Sequence, residues 1–371
     1  MNVPLLDLQA QYVSLRDDLQ QAVDRVMSSQ RFVLGDEVRK LETSIAEYCQ
    51  SRHAVGCASG SDALLLALMA LDVKAGDEVI TTPFSFFATG ACVARLGARP
   101  VFVDIDPHTY NIDPSRVADA ITPRTKAIMP VHIYGQCARM DPLLVLGRRR
   151  GIPVVEDAAQ AIGATDNERR AGSMGLIGCF SFYPTKNLGG AGDGGILTTS
   201  DDEVAARLRR LRAHGGANEY EHEEVGINSR LDELQAAVLN VKFPRLDKWS
   251  DERARKAEVY TKLLNDADLR FPLVTPKVRN DGRHIFHQYV VRAPGNRDAL
   301  MEHLKNHGVG SKIYYPIALH LQKCFAYLGY KKGDLPASEA AANETFALPC
   351  YPELTEAQQV YVVETIKTFA S

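Results

Sequence analysis

This sequence predicts an α/β protein built on a mainly parallel sheet sandwiched by helices, with a smaller C-terminal α+β domain. Three observations carry the expectation. Short apolar runs alternate with helical patterning from residue 53 to residue 157. Those runs are apolar on both faces, as strands covered by helices on either side must be. The chain, at 371 residues with 45% hydrophobic and 24% charged, is long enough for a large core and a second lobe.

Taken in order, residues 1–14 read as an extended arm. Helices are expected at 15–27 and 37–49, the second with Val38, Leu41, Ile45 and Tyr48 at spacings of three and four. Strands follow at 53–57, 78–81, 100–104, 127–131 and 153–157, separated by helices at 61–71, 86–96, 114–121 and 142–150. Two further strands, 178–182 and 195–199, flank a glycine-rich loop. Helices 202–212 and 231–241 come next, the latter stopped by Pro244. A long charged helix at 245–264 leads into Pro- and Asn-rich loops, strands at 287–291 and 309–314, and helices at 297–307, 337–345 and 355–369. The domain boundaries are therefore set at 1–14 for the arm, 15–245 for a large domain, and 246–371 for the connecting helix and small domain.

A net charge of −3 argues against a nucleic-acid footprint. The seven cysteines are scattered and form no CxxC pair, the usage of a reduced cytoplasmic protein without a disulfide frame or a metal site. The opening MNVPLLDLQAQY lacks signal-peptide organisation, and the longest apolar stretch, 63–71, is far short of the ~20 residues that span a bilayer. No membrane partner is expected.

The chemistry centres on SFYPTKNLGGAGDGG at 181–195, where one lysine, Lys186, enters a loop with glycines at 189, 190, 192, 194 and 195. So many glycines imply tight turns and close approach. A lysine there suits phosphate binding or a Schiff base to a carbonyl cofactor. The glycines follow the lysine, so the Walker pattern is absent and the Schiff-base reading leads.

Asp157 ends the 153–157 strand, at the side of a parallel sheet where ligands bind. A pyridoxal phosphate ring needs a carboxylate beside its nitrogen, whose charge shifts the pKa by ~1–3 units and keeps the ring an electron sink. Asp at such a junction is also a common helix N-cap. Ser59, Gly60 and Ser61 precede a buried apolar helix, where free N–H groups and the helix dipole make a phosphate cup. Ser181 is placed to close it. Phe86 is a candidate for stacking on the ring, although most aromatics at a helix start are core. Gln160 is a candidate partner for the ring's phenolic oxygen. His132, closing another strand, is either a satisfied core histidine or a neighbour of the site.

GSDAL at 60–64, GDEVITTPFSFFAT at 76–89, AITPRTKAIMPVHIYGQ at 120–136, EDAAQAIGA at 156–164, the 181–195 loop, GINSRLDELQAAVL at 226–239 and YYPIALHLQ at 314–322 together resemble the DegT/StrS-type sugar aminotransferases. The resemblance spans essentially the whole chain. It implies a fold-type I, aspartate-aminotransferase-like architecture with pyridoxal 5'-phosphate, and a homodimer that shares its active sites. It implies amino transfer from L-glutamate to a keto-sugar on a nucleoside diphosphate, with C-3 favoured, for amino-sugar or polysaccharide biosynthesis.

By position, Lys186 resembles the cofactor lysine and Asp157 the ring-nitrogen partner. Gln160, Phe86, Ser59, Gly60, Ser61 and Ser181 resemble the other cofactor contacts, and Asn228 the residue reaching the phosphate from the neighbouring subunit. Arg230, Tyr314, Tyr315 and His320 fall where the family meets substrate, although an interface ion pair suits Arg230 equally. The chain departs from the family at Tyr314-Tyr315-Pro316, where many relatives read His-Tyr-Pro. Members that are dehydratases carry histidine in place of the lysine, so Lys186 favours amino transfer over that alternative. It also counts against a catalytically silent regulatory role.

Overall fold

The computed structural model of this chain describes residues 1–216 and 220–369. Helices α1 (Leu8–Val13), α2 (Arg16–Ser29) and α3 (Asp36–Tyr48) precede strand β1 (His53–Cys57). Then come α4 (Gly60–Ala70), β2 (Glu78–Thr81), α5 (Ala88–Arg95), β3 (Arg99–Phe102), α6 (Pro114–Val117), β4 (Thr125–Met129), α7 (Met140–Arg150) and β5 (Val155–Asp157). A small hairpin, β6 (Thr165–Asp166) and β7 (Arg169–Arg170), leads to β8 (Ile177–Ser181), β9 (Gly195–Thr199), α8 (Asp202–Leu211) and α9 (Glu233–Lys242).

The strands pair as β1-β9-β8-β5 and β3-β2-β4. Parallel bridges Ile128↔Val154 and Val131↔Asp157 join the two ladders into one sheet. Only β9 runs antiparallel to its neighbours in that sheet. Side chains alternate across it, as a two-residue period demands. Val55, Cys179 and Leu197 face the nearly all-apolar α4, whereas Ala54, Phe180 and Ile196 face Leu41 and Ile45 of α3 and Leu239 of α9. Each fully buried Leu, Ile or Phe in these layers contributes about 1.5–3 kcal/mol. The sandwich is what holds the carboxyl ends of β5 and β8 and the start of α4 in fixed relation.

The rest of the chain is α10 (Leu246–Asn265), β10 (Tyr289–Arg292), α11 (Arg297–Asn306), α12 (Pro336–Glu344), β11 (Thr345–Leu348) and α13 (Glu356–Lys367). β10 and β11 form an antiparallel pair over a separate core of Tyr260, Tyr289, Leu300, Phe346, Val362 and Ile366. No helix among the described residues is long and apolar enough to cross a membrane.

Three expectations shift. The arm is not extended throughout, because Asp7 caps α1 by accepting from the Ala10 N–H at 2.9 Å. Val3 in turn docks beside Val309 in a parallel bridge. Residues 309–314 make only isolated bridges, at Val309 and Lys312, not a strand. Pro244 does not stop the helical path: it sits in the first turn of a 3₁₀ segment, Phe243–Arg245, which needs no proline N–H and runs straight into α10.

Candidate active site

A cavity of about 810 Å³ opens where β5, β8 and the N-terminus of α4 meet the smaller lobe. Ser59, Gly60, Ser61, Phe86, Asp157, Gln160, Ser181, Lys186, Tyr314 and Tyr315 all line it. Ten residues named from sequence thus converge on one space.

Asp157 is buried at the cavity wall. Its Oδ2 accepts from Thr89 Oγ1 at 2.7 Å, and Thr89 is itself held by Ser85 Oγ at 2.7 Å. No helix begins at Asp157; its Oδ1 instead accepts from the Ala159 N–H at 3.3 Å. Burial pushes its pKa above the ordinary carboxylate value, with the Thr89 and Ala159 hydrogen bonds opposing.

Lys186 projects into the same space, and among the described residues no hydrogen bond or ion pair ends on its Nζ. Burial lowers its pKa from 10.5 to about 8, against the pull of Asp157. A glycine-rich loop presents it. None of its five glycines has a positive φ. At two of them the need is close approach by the backbone: a Cβ on Gly189 would lie 2.2 Å from the Pro184 carbonyl oxygen, and one on Gly195 2.4 Å from that of Ser59.

The start of α4 offers free backbone N–H groups at the cavity. Ser59 caps the helix by accepting from the Asp62 N–H at 3.1 Å. The first-turn N–H groups of Gly60 and Ser61 have no intrahelical partner, and both residues line the cavity. Ser181 packs so tightly here that a Cβ on Gly60 would lie 2.5 Å from its own Cβ. Phe86 exposes 57% of its surface with its ring centroid 6.1 Å from that of Tyr315. Gln160 accepts from the Tyr134 N–H at 2.7 Å and donates to Tyr315 Oη at 2.8 Å, so it orients Tyr315 as well as facing the cavity. Pyridoxal phosphate fits this set: an unpaired amine, a buried carboxylate, an anion cup and a free aromatic face.

Three named residues lie elsewhere. Asn228 is exposed and Arg230 half-buried, and neither lines the cavity. Their segment is pinned beside the start of α4, where Ser229 Oγ donates to Asp62 Oδ2 at 2.7 Å and accepts from the Ala58 N–H at 3.1 Å. His320, expected among the sugar contacts, is enclosed instead, its Nε2 3.2 Å from Glu339 Oε1 and its ring edge-on to Tyr330. His132 is a satisfied core histidine: Nδ1 accepts from the Ala138 N–H at 3.1 Å and Nε2 lies 2.9 Å from Glu156.

The cavity also recruits residues the sequence did not mark. Thr89 anchors Asp157. His287 presents a ring fixed by Asn187 Oδ1 at 3.1 Å from its Nδ1, and burial holds its pKa well below the usual histidine value. Arg253, Gln288 and Lys312 come from the smaller lobe. Thr89 lay inside an apolar helix pattern and Arg253 inside a run of surface charges, so only the folded chain reveals them.

A family model described as the DegT/DnrJ/EryC1/StrS aminotransferase family matches residues 13–367. A "Pleiotropic regulatory protein" of Geobacillus stearothermophilus is 53% identical over 100% of this chain and 99% of its own. A UDP-N-acetyl-3-dehydro-alpha-D-glucosamine 3-aminotransferase of Acidithiobacillus ferrooxidans is 44% identical over 98% of this chain and 97% of its own. Among solved structures, DesV of S. venezuelae, in complex with a ketimine intermediate, superposes with a TM-score of 0.95 at 42% identity, covering 99% of this chain and 98% of that one. NtdA of Bacillus subtilis, with bound cofactor PMP, gives 0.92 at 31% identity, covering 98% and 84%.

Proposed function

This chain belongs to the DegT/DnrJ/EryC1/StrS aminotransferase family, and from that membership we propose that it moves an amino group from glutamate to C-3 of a keto-sugar carried on a nucleoside diphosphate. The 3-aminotransferase name of a relative 44% identical supports the substrate class and the ring carbon. Pyridoxal 5'-phosphate is the cofactor of such enzymes, and the aminated form is bound in a solved neighbour. When bound, it supplies a carbonyl carbon that takes up amines and a ring that takes up the electron pair freed at the substrate carbon.

Every other part is played by the chain. Lys186 would hold the cofactor through its carbonyl carbon, and its Nζ, when free, would serve as the base for the proton on the amino-bearing carbon of the donor. A pKa near 8 suits that work, since a large share of the amine is neutral at mildly alkaline pH. Asp157, fixed by Thr89, keeps the ring nitrogen protonated. The start of α4, with Ser59, Ser61 and Ser181, would hold the phosphate, and Phe86 would offer its face to the ring. Tyr314 and Tyr315, from the 246–371 part, flank the sugar, while 15–245 supplies the cofactor groups. Asn228 and Arg230 serve the cavity of a second copy in a cytoplasmic homodimer, which accounts for their position outside their own.

The observation that carries the reading is the unpaired Lys186 amine and buried Asp157 in one cavity with an anion cup. The test incubates the purified protein with glutamate and a panel of nucleotide-linked 3-keto-sugars, measuring 2-oxoglutarate and the amino-sugar together. Equal yields are expected. A deoxygenated sugar without 2-oxoglutarate would point to dehydration, and cofactor binding without any turnover to the regulatory role that a relative's name suggests.

A further inference from the structure

The cavity wall contributed by α10 holds a buried cation without an anion. Arg253 is 5% exposed and lines the cavity. Its Nη1 donates to the backbone carbonyls of Cys350 at 2.6 Å, His287 at 3.3 Å and Phe286 at 3.4 Å. Its Nε is fully buried and has no partner. Among the described residues its Nη2 makes no hydrogen bond either, and the side chain lines the cavity. Among the described residues no carboxylate lies within 4.0 Å of the guanidinium; Glu353 acts on it electrostatically without forming an ion pair.

A guanidinium cannot shed its proton to escape burial. Buried charge needs an opposite charge, and neutral carbonyls meet only part of that need. The open edge of the planar fork matches a carboxylate. Lys186, His287 and Arg253 line the same cavity, and the His287 carbonyl accepts from Arg253 Nη1. A donor whose amino group meets Lys186 can then present an acid group to Arg253.

We propose that Arg253 seats a carboxylate of the amino donor, so that this enzyme draws its nitrogen from an amino acid and rejects simple amines. The proposal rests on the aminotransferase reading of the cavity and deepens it. In cofactor-loaded Arg253→Lys, the donor half-reaction followed at the visible absorbance band should need about ten- to hundredfold more glutamate. The acceptor half-reaction with the nucleotide keto-sugar should be unchanged. Calorimetry with glutarate should show the same loss, and with UDP none. A folded variant that binds glutarate and glutamate like the parent overturns the assignment, as does an equal loss for UDP, which would mark a phosphate seat. Should the variant not fold, the parent crystallised with glutarate decides: a carboxylate on Nη2 supports the assignment, and one placed elsewhere overturns it. If the parent aminates nothing, the reading of function fails, while glutarate binding still judges Arg253 separately.

Discussion

Desolvation favours the neutral form of the Lys186 amine. An exposed lysine loses its proton near about 10.4, whereas burial brings this one to about 8. Capture of pyridoxal phosphate by the apoprotein should therefore quicken with pH up to about 8 and then level off, instead of climbing toward 10. The linkage has a definite sign. With the folded pKa lowered, the unfolded chain holds more protons between the two values, so this group makes apoprotein stability rise with pH across that window. Lys186→Met should remove that slope in thermal melts. Asp157 pulls the lysine's pKa upward, so Asp157→Asn should move the capture profile to lower pH while amino transfer falls. Loss of the lysine base itself, in Lys186→Ala, should cost the glutamate half-reaction about 10²–10⁴-fold in a stopped-flow measurement.

Among the elements, the 181–195 loop shows what sequence can and cannot convey. Its glycine content singled out Lys186, since nothing else in the chain is so punctuated, and that lysine lines the cavity. The reason for the glycines was hidden, because it lies in contacts with Pro184 and Ser59 that only the folded backbone makes. Gly189→Ala should force that backbone apart, destabilise by about 1–3 kcal/mol and weaken cofactor retention. Gly192→Ala meets only the end of the Gln235 side chain, at 2.9 Å, and should be mild in the same melts and absorbance spectra. Equal effects from the two would discount the packing argument. The strands of the sheet were legible because buried parallel strands are apolar throughout. Residues 309–314 were not, since their apolar pattern serves single bridges and cavity lining in place of a ladder. Arg253 was invisible for the opposite reason: its neighbours Glu252 and Arg255 form an ordinary surface pair.

At the scale of the whole molecule, one protomer leaves features unaccounted for by its own fold. Phe86 and Tyr183 stand open at the cavity, whereas Asn228 is exposed, Arg230 half-buried and neither lines it. A second copy bringing its Asn228 and Arg230 to this cavity is the arrangement that the homodimer reading requires. Mixing Lys186→Ala with an Asn228→Ala, Arg230→Ala double variant, each inactive alone, should restore activity. Each mixed dimer would then carry one site with neither defect. Persistent inactivity after verified subunit exchange would instead assign each site wholly to one chain.

The most direct test reduces the cofactor-loaded protein with borohydride and maps the pyridoxyl group by peptide mass. A single modified lysine at position 186 is the expected result. A pyridoxyl group on any other lysine, or none retained after reduction, would contradict the account of this site.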